Sequence, residues 1–331
     1  TANFIGMAPD AHIVNIKVAD ASGATDVSQV IAAIDWVVQH KDDNGLNIRV
    51  LNLSFGTDSK QSYLLDPLTF AAEVAWRKGI VVVAAAGNTG QVGLTDPASD
   101  PFVIAVGATD TKAEPNGLVT DAVAPYSSLG NGLRNPDTVA PGSHIQSLRD
   151  PGSYLDQHYG GTGQINDRFF RGSGTSQAAA VVSGGAALIV QQHPDYTPDQ
   201  IKYLLTNNTS GITGARAASA GKGRISLDRT LHASLFKNKA AQMFVPANGW
   251  GSLDGARGTA KLMRDGVELT GNVDIFGHAF NSAAIATAEL TGNSWSGGDW
   301  NGNSWSGNSW SGNSWSGVSW SGNTWSSDTW V

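Results

Sequence analysis

The chain has 331 residues, a formal net charge of −7 at pH 7 and no cysteine. That acidic balance lacks the clustered positive charge that nucleic-acid binding needs, and without thiols there are no disulfides and no thiolate metal sites. No apolar run is long enough to span a bilayer, and the length allows a large core and more than one structural unit.

Taken in order, Ala8-Pro9-Asp10-Ala11-His12 reads as a turn, and Ile13 to Val18 as a buried strand. A loop over Asp20 to Ala24 follows. Thr25 or Asp26 caps a helix reaching about Lys41, with Val27, Val30, Ile31, Ile34, Val37 and Val38 at helical spacing. Ile48 to Leu53 reads as a strand. Asp66-Pro67 opens a second helix that Gly79 stops. Ile80 to Ala85 and Phe102 to Val106 are two further apolar strands. Strands alternating with helices imply an α/β fold with a mostly parallel sheet between helices. In such sheets ligands sit outside the carboxyl ends of the strands. The loops there are 20–25, Ser54-Phe55-Gly56 and Gly87-Asn88-Thr89.

Gly172-Ser173-Gly174-Thr175-Ser176 then delivers a serine onto the first turn of a helix from about Thr175 to Gln192, stopped before Pro194. Apolar residues fall on every side of this helix, so burial all round is expected. Its N-terminus offers unpaired N–H groups and positive potential beside Ser176. By itself the turn favours the plainer reading, Thr175 or Ser176 as a helix cap, the commonest job for Ser and Thr there.

Four segments change that balance: Ala84-Ala85-Ala86-Gly87-Asn88, Ile104-Ala105-Val106-Gly107-Ala108, Val139-Ala140-Pro141-Gly142, and Gly174-Thr175-Ser176 followed by Ala178. In this order they resemble the subtilisin-like serine proteases (subtilases, peptidase family S8) over about residues 5 to 230. The resemblance implies a subtilisin-like three-layer α/β fold and endopeptidase activity on polypeptides. Ser176 would be the nucleophile, and Asn88 would donate to the oxyanion beside the Ser176 N–H. Ser54-Phe55-Gly56 and Ala85-Ala86-Gly87 would form two walls of the specificity pocket, with Thr95 at its base and Thr175 beside it. Gly23-Ala24-Thr25 would be a second edge that pairs with substrate backbone. The resemblance further implies secretion and a monomer. It asks for no catalytic cofactor but allows structural calcium, and the loop around Ala98 to Asp100 resembles one such place. A single acidic loop is more often simply solvated, so no metal ligand is assigned.

One departure is large. The family's triad runs Asp, His, Ser, yet none of His12, His40, His144, His158, His193, His232 and His278 stands in a His-Gly-Thr-His context. No aspartate heads an Asp-Thr-Gly or Asp-Ser-Gly turn after an apolar strand. The simplest expectation is that both partners lie upstream of Thr1, and that the chain as given hydrolyses peptides poorly. A smaller departure is Ala180-Val181, where the family commonly has Pro-His.

Beyond about Leu231 the character changes. Residues 233–292 hold short alternating stretches, with Asp265-Gly266 as a hairpin turn, and read as a small β-rich appendage after a catalytic domain over 1–232. Residues 293–331 repeat Asn-Ser-Trp-Ser-Gly, with Trp295, Trp300, Trp305, Trp310, Trp315, Trp320, Trp325 and Trp330 five apart. Period five fits neither a helix face nor one strand face. The tail therefore reads as low-complexity disorder or as stacked repeats, and its rings suit a polysaccharide or cell-wall surface. Two rival readings remain. An α/β-hydrolase esterase requires Gly-x-Ser-x-Gly, but Ala178 stands at the last position. A catalytically dead subtilase fold would instead serve as a binding module through the tryptophan tail.

Overall fold

The computed structural model describes residues 5–20, 23–113, 119–235, 239–296, 299–304 and 320–322. The first helix, α1 (Val27–His40), begins where Asp26 accepts from the Ser28 N–H, so Asp26 is the cap. Strand β1 (Val50–Leu53) leads through a loop to α2 (Pro67–Arg77), where Asp66 caps and Pro67 opens the first turn. Gly79, at φ 91°, takes the left-handed conformation that ends α2. Strands β2 (Val81–Ala85), β3 (Ile104–Ala113), β4 (Val119–Val123) and β5 (Thr138–Pro141) complete a five-stranded sheet.

In that sheet β1 pairs with β2, β2 with β3, and β3 with β5, all parallel, and β4 runs antiparallel along the distal half of β3. All five residues of β2 are buried. Since neighbouring strand residues face opposite ways, layers must cover both faces. The chain continues through β6 (Ile145–Leu148), α3 (Tyr154–Gly163) and β7 (Phe169–Gly172) to α4 (Thr175–Gln192), α5 (Pro198–Asn207), α6 (Ala217–Ala220) and α7 (Leu227–Leu231). Helix α4 packs across β1, β2, β3 and β5, and α2 packs on β2 and α1.

Two expectations are corrected. Residues 13–18 form no ladder with any described strand. Ile16 and Val18 rest against the core, while Ile13 is 89% and Val14 38% exposed. The segment is one-sided, and it lacks the paired neighbour that makes a strand. Helix α4 is likewise not buried all round. Ala178, Ala179, Val182, Gly185, Ala186 and Ile189 are buried, Gly185 against Leu227 and Leu205, whereas Ala180 is exposed and Val181 half-buried. Alanine and glycine line the buried face because a small side chain lets the helix approach its neighbours closely.

The stretch after residue 233 holds α8 (Leu253–Arg257), a hairpin of β8 (Leu262–Arg264) and β9 (Val267–Glu268) turning at Asp265-Gly266, and α9 (Ser282–Thr291). It is therefore more helical than extended, not the β-rich appendage expected. Its Ala247, Leu253, Ala256, Phe280 and Ala286 join the same core as the sheet. The repeat begins as a small antiparallel meander, β10 (Trp295–Ser296), β11 (Asp299–Trp300) and β12 (Asn303–Ser304), in which Trp295 lies opposite Trp300. Both rings dock on α1. The Trp295 indole N–H donates to Ala32 O at 2.9 Å, and that of Trp300, 1% exposed, donates to Asp35 Oδ2 at 2.8 Å. Trp305, Trp310, Trp315, Trp325 and Trp330 lie outside the described residues, and residues 320–322 pair with β8.

At that junction burial pushes Asp35 up to about 7, against the pull of its hydrogen bonds, and burial with the Asp35 charge pushes Glu289 well above the usual range. The folded protein thus keeps a proton that an unfolded aspartate releases near pH 4. Between about pH 4 and pH 7 the folded state binds more protons than the unfolded, so stability falls as pH rises. Asp35→Asn is expected to flatten part of that slope. Denaturant midpoints at pH 5 and pH 8 check it: the variant should gain on the parent at the higher pH.

Candidate functional site

The loops after β1 and β2 meet the N-terminus of α4. Leaving β2, the chain passes Ala86 and reaches Gly87, at φ 109°, a conformation that side chains rarely adopt. A Cβ there would also stand 2.7 Å from Ser128 Oγ. This turn aims Asn88 at α4. Asn88 Oδ1 accepts from the Thr175 N–H at 2.8 Å and from the Thr175 hydroxyl at 2.9 Å. The Thr175 hydroxyl in turn accepts from the Gly87 N–H at 3.2 Å. With its carbonyl end held twice, the Asn88 amide presents Nδ2 outward.

Glycine at 174 makes room for Gln177: a Cβ there would lie 2.7 Å from Gln177 Oε1, with Asn88 Nδ2 at 3.4 Å and the Ser176 backbone N at 3.6 Å. Two N–H donors, distant in sequence, therefore lie close to one position, which Gln177 Oε1 also approaches. The Ser176 N–H lies in the first turn of α4 and has no intrahelical acceptor. Negative charge developing at such a place gains from both donors and from the helix dipole.

Ser176 itself is half-buried. Its hydroxyl donates to Ser54 O at 3.0 Å, and the Ser54 hydroxyl donates to Ser176 O at 3.0 Å. Asn52 Nδ2 holds the Ser54 hydroxyl at 2.8 Å, and Ser183 on α4 holds Asn52 Oδ1 at 2.9 Å. Asn52, Ser183 and Ser128 are absent from the sequence-based site, because a polar residue in a strand or helix carries no signal of which loop it braces. No histidine hydrogen-bonds to Ser176 among the described residues; His144 meets the segment before it through its backbone N–H, which donates to Ser173 Oγ at 2.9 Å.

Thr95 joins the two proposed pocket walls. Its N–H donates to Ala86 O at 3.1 Å and its hydroxyl to Ala85 O at 3.2 Å. A Cβ on Gly56 would fall 2.3 Å from Thr95 Oγ1, so the wall of 54–56 closes on Thr95 only because residue 56 is glycine. Thr57 and Asp96 exchange backbone hydrogen bonds just beyond. Burial, then the charge of Asp66, raises Asp96 well above the ordinary carboxylate range. Ser54, Phe55, Gly56, Ala85, Ala86, Gly87, Asn88, Thr95, Thr175 and Ser176 thus belong to one neighbourhood. Gly23, Ala24 and Thr25 lie in a separate turn, with Gly23 at φ 87°, in which the Gly23 and Ala24 N–H groups donate to Asp20 and Ala24 O accepts from the Asp20 N–H. Ala24 is 2% exposed and packs with Leu262, Leu269 and Ile275 of the C-terminal stretch.

At the Ala98–Asp100 loop, the one place the resemblance marks for calcium, Asp100 Oδ2 is buried without a hydrogen-bond partner, while the nearby carbonyls are held by Arg134 and Lys202. Arg134 donates to Ala98 O at 3.0 Å, Asp100 O at 2.9 Å and Asp137 Oδ2 at 3.0 Å. Lys202 Nζ donates to Pro101 O at 2.6 Å and Val103 O at 2.8 Å. The chain's own cations occupy the carbonyls a metal would need. Burial alone would raise Asp137, yet Arg134 and Lys202 hold it below its usual range. Arg134→Ala is expected to lower unfolding free energy by roughly 1.5 to 3 kcal/mol, since it removes one of the two cations on Asp137 and the donor to Ala98 O and Asp100 O, while Lys202 stays paired with Asp137 at 3.1 Å. Denaturant titration against the parent measures this, and a loss under 1 kcal/mol would refute it.

Residues 1–251 match the profile of the Subtilase family, Peptidase S8. Serine protease AprX of Bacillus subtilis (strain 168) is 37% identical over 235 residues, which cover 66% of this chain and 53% of that protein. Subtilisin E of the same strain is 33% identical over 227 residues, covering 67% of this chain and 50% of its own length. Among solved structures, a cold adapted subtilisin-like serine proteinase gives a TM-score of 0.50 at 28% identity, covering 65% of this chain and 67% of that one. The chain spans about half the length of the curated relatives it matches.

Proposed function

The chain belongs to the subtilase family, and from that premise we propose that it carries the nucleophile and oxyanion hole of a secreted serine endopeptidase. The observation that supports this reading is that Asn88 Nδ2 and the Ser176 backbone N lie 3.4 and 3.6 Å from one position at Gly174, in the same turn as Ser176. In the proposed reaction, Ser176 Oγ attacks the scissile carbonyl and forms an acyl-enzyme, which water then hydrolyses. The two donors hold the oxyanion through both tetrahedral states.

A serine hydroxyl is a weak nucleophile until a base takes its proton. The Ser54 carbonyl, which receives that hydrogen bond here, cannot act as one. The reading therefore assigns both the base and the later acid to a histidine, oriented by an aspartate, the two lying outside this sequence, and expects the chain alone to be a poor hydrolase. Substrate backbone would pair with 54–56 and with 23–25, and its side chain next to the scissile bond would enter between 54–56 and 85–87, above Thr95. Secretion is part of the proposal. Among the described residues, no helix is long and apolar enough to cross a membrane.

The test is labelling of the protein at its full natural length by a fluorophosphonate, with the adduct mapped by mass spectrometry. The adduct should sit on Ser176. A folded, full-length protein that takes no label would remove the hydrolase reading and leave the non-enzymatic binding module.

A further inference from the structure

The first strands of the tryptophan repeat are seated over two buried carboxyls. Asp35 on α1 is 2% exposed, and Glu289 on α9 is 3% exposed. The two side chains meet, and Asp35 also takes the Ser294 hydroxyl and the Trp300 indole N–H. Two carboxyls share a hydrogen bond only while one of them carries the proton. Glu289 Oε1 is buried with no donor bonded to it. Around the pair, α9 ends at Gly292, whose carbonyl accepts from Gln39 Nε2, and Gln39 Oε1 accepts from the Trp295 N–H at 2.8 Å. Phe280 packs beside Trp300 with ring centroids 6.0 Å apart, and Asn301 Nδ2 donates to Asp274 Oδ2 at 2.8 Å. The meander β10–β12 thus covers the pair, held by a few hydrogen bonds and two indole rings.

No positive charge faces this pair among the described residues. Besides burial, only Trp300, Glu289 and Ser294 act on Asp35, and only Asp35 acts on Glu289. On the elements packed around them, the other charged groups are engaged elsewhere. Asp26 at the start of α1 binds Arg257 of α8, and Asp254 of α8 binds Lys261. His40 stacks on Trp36, and on α2 Glu73 pairs with Arg77. Asp274 holds Asn301, while His278 and Asp299 are exposed. Burial pushes both carboxyls up, and the Asp35 charge pushes Glu289 further.

We propose that Asp35 and Glu289 form a proton latch for the root of the tail: while the pair keeps a proton, β10–β12 stays seated on α1, and alkali unseats it and exposes Trp295 and Trp300. In the seated state a second negative charge would be buried beside the first with no cation to meet it, whereas water solvates both carboxylates once the meander lifts. Each carboxyl therefore keeps its proton to a higher pH when seated than when free. Seating is at full strength below about pH 4, the ordinary carboxyl range. It weakens about tenfold per pH unit for each proton held, until that group's raised value is passed. The latch does not depend on the peptidase reading.

Hydrogen exchange of the full-length protein, read by mass spectrometry and corrected for the intrinsic rate at each pH, tests the latch without a peptidase assay. From about pH 6 to about pH 8, protection of β10–β12 should fall by about tenfold or more per pH unit, while that of β2 and β3 holds. The double variant Asp35→Asn with Glu289→Gln keeps an acceptor for the Trp300 N–H and a donor between the two side chains, and its profile should be flat. Asp299→Asn removes the exposed acid of the same meander and should keep the parent's slope. If the double variant does not fold, Glu289→Gln alone should lessen the slope, and the parent's own profile still decides. A parent whose β10–β12 protection does not change with pH would overturn the latch. So would a folded double variant with the parent's slope, or a loss of protection shared equally by β2 and β3.

Discussion

Replacing Ser176 with alanine in the full-length protein is expected to lower kcat for peptide hydrolysis by about 10⁶-fold, the magnitude known for the corresponding change in a subtilisin. Fluorophosphonate labelling should vanish with it. The variant loses one hydroxyl that donates to Ser54 O, a bond whose removal costs about 1 kcal/mol of stability, so it should fold. The Ser176 N–H and Asn88 remain in place, which is why residual turnover above water is expected from the oxyanion donors and binding. The pair of measurements is decisive because a structural serine would move stability more than rate. A folded Ser176→Ala protein that cleaves within tenfold of the parent would mean that the nucleophile lies elsewhere.

The elements most legible in the sequence were those with a local signal. Helix α1 carries its apolar period and its Asp26 cap, α2 opens on Asp66-Pro67, and the uninterrupted valines of β2 announce a strand buried on both faces. The turn chemistry of Gly87-Asn88 and Gly174-Thr175-Ser176 was equally readable, and these two turns meet. Ile13–Val18 misled because a strand-like composition does not supply a partner. Helix α9 was missed although Asn281 caps it and Gly292 ends it; its alanines, set among glycine-broken fragments, show no sharp apolar face. The contacts of residues 256 and 257 with the segments before α1 and after β1 were invisible for a different reason. The Asp26–Arg257 pair and the Thr57–Ala256 bond join positions about 200 residues apart, and nothing periodic in either segment names the other. The first two tryptophans of the repeat likewise look like surface rings in sequence, yet their indole N–H groups are spent on Ala32 O and Asp35.

Asn88→Ala is expected to reduce kcat by about 100- to 1,000-fold with little change in KM, the cost of losing one oxyanion donor in a subtilisin. The expectation follows from how the amide is held. Its oxygen takes two hydrogen bonds from Thr175, at 2.8 and 2.9 Å, which assigns the other end as nitrogen and directs it towards the position at Gly174 that the Ser176 N–H also lies close to. A ground-state carbonyl gains little from such a donor, while a tetrahedral oxyanion gains much. The penalty therefore falls on kcat and not on substrate affinity. Thr175 acts through Asn88 as a positioning residue. Thr175→Val removes one of the two bonds holding the amide and the acceptor for the Gly87 N–H, so its loss should be smaller, about tenfold, and Thr175→Ser should restore the parent rate by keeping the hydroxyl. If Asn88→Ala instead raised KM and left kcat alone, Asn88 would be a substrate-binding residue, and the oxyanion would have to be held by the helix terminus without it.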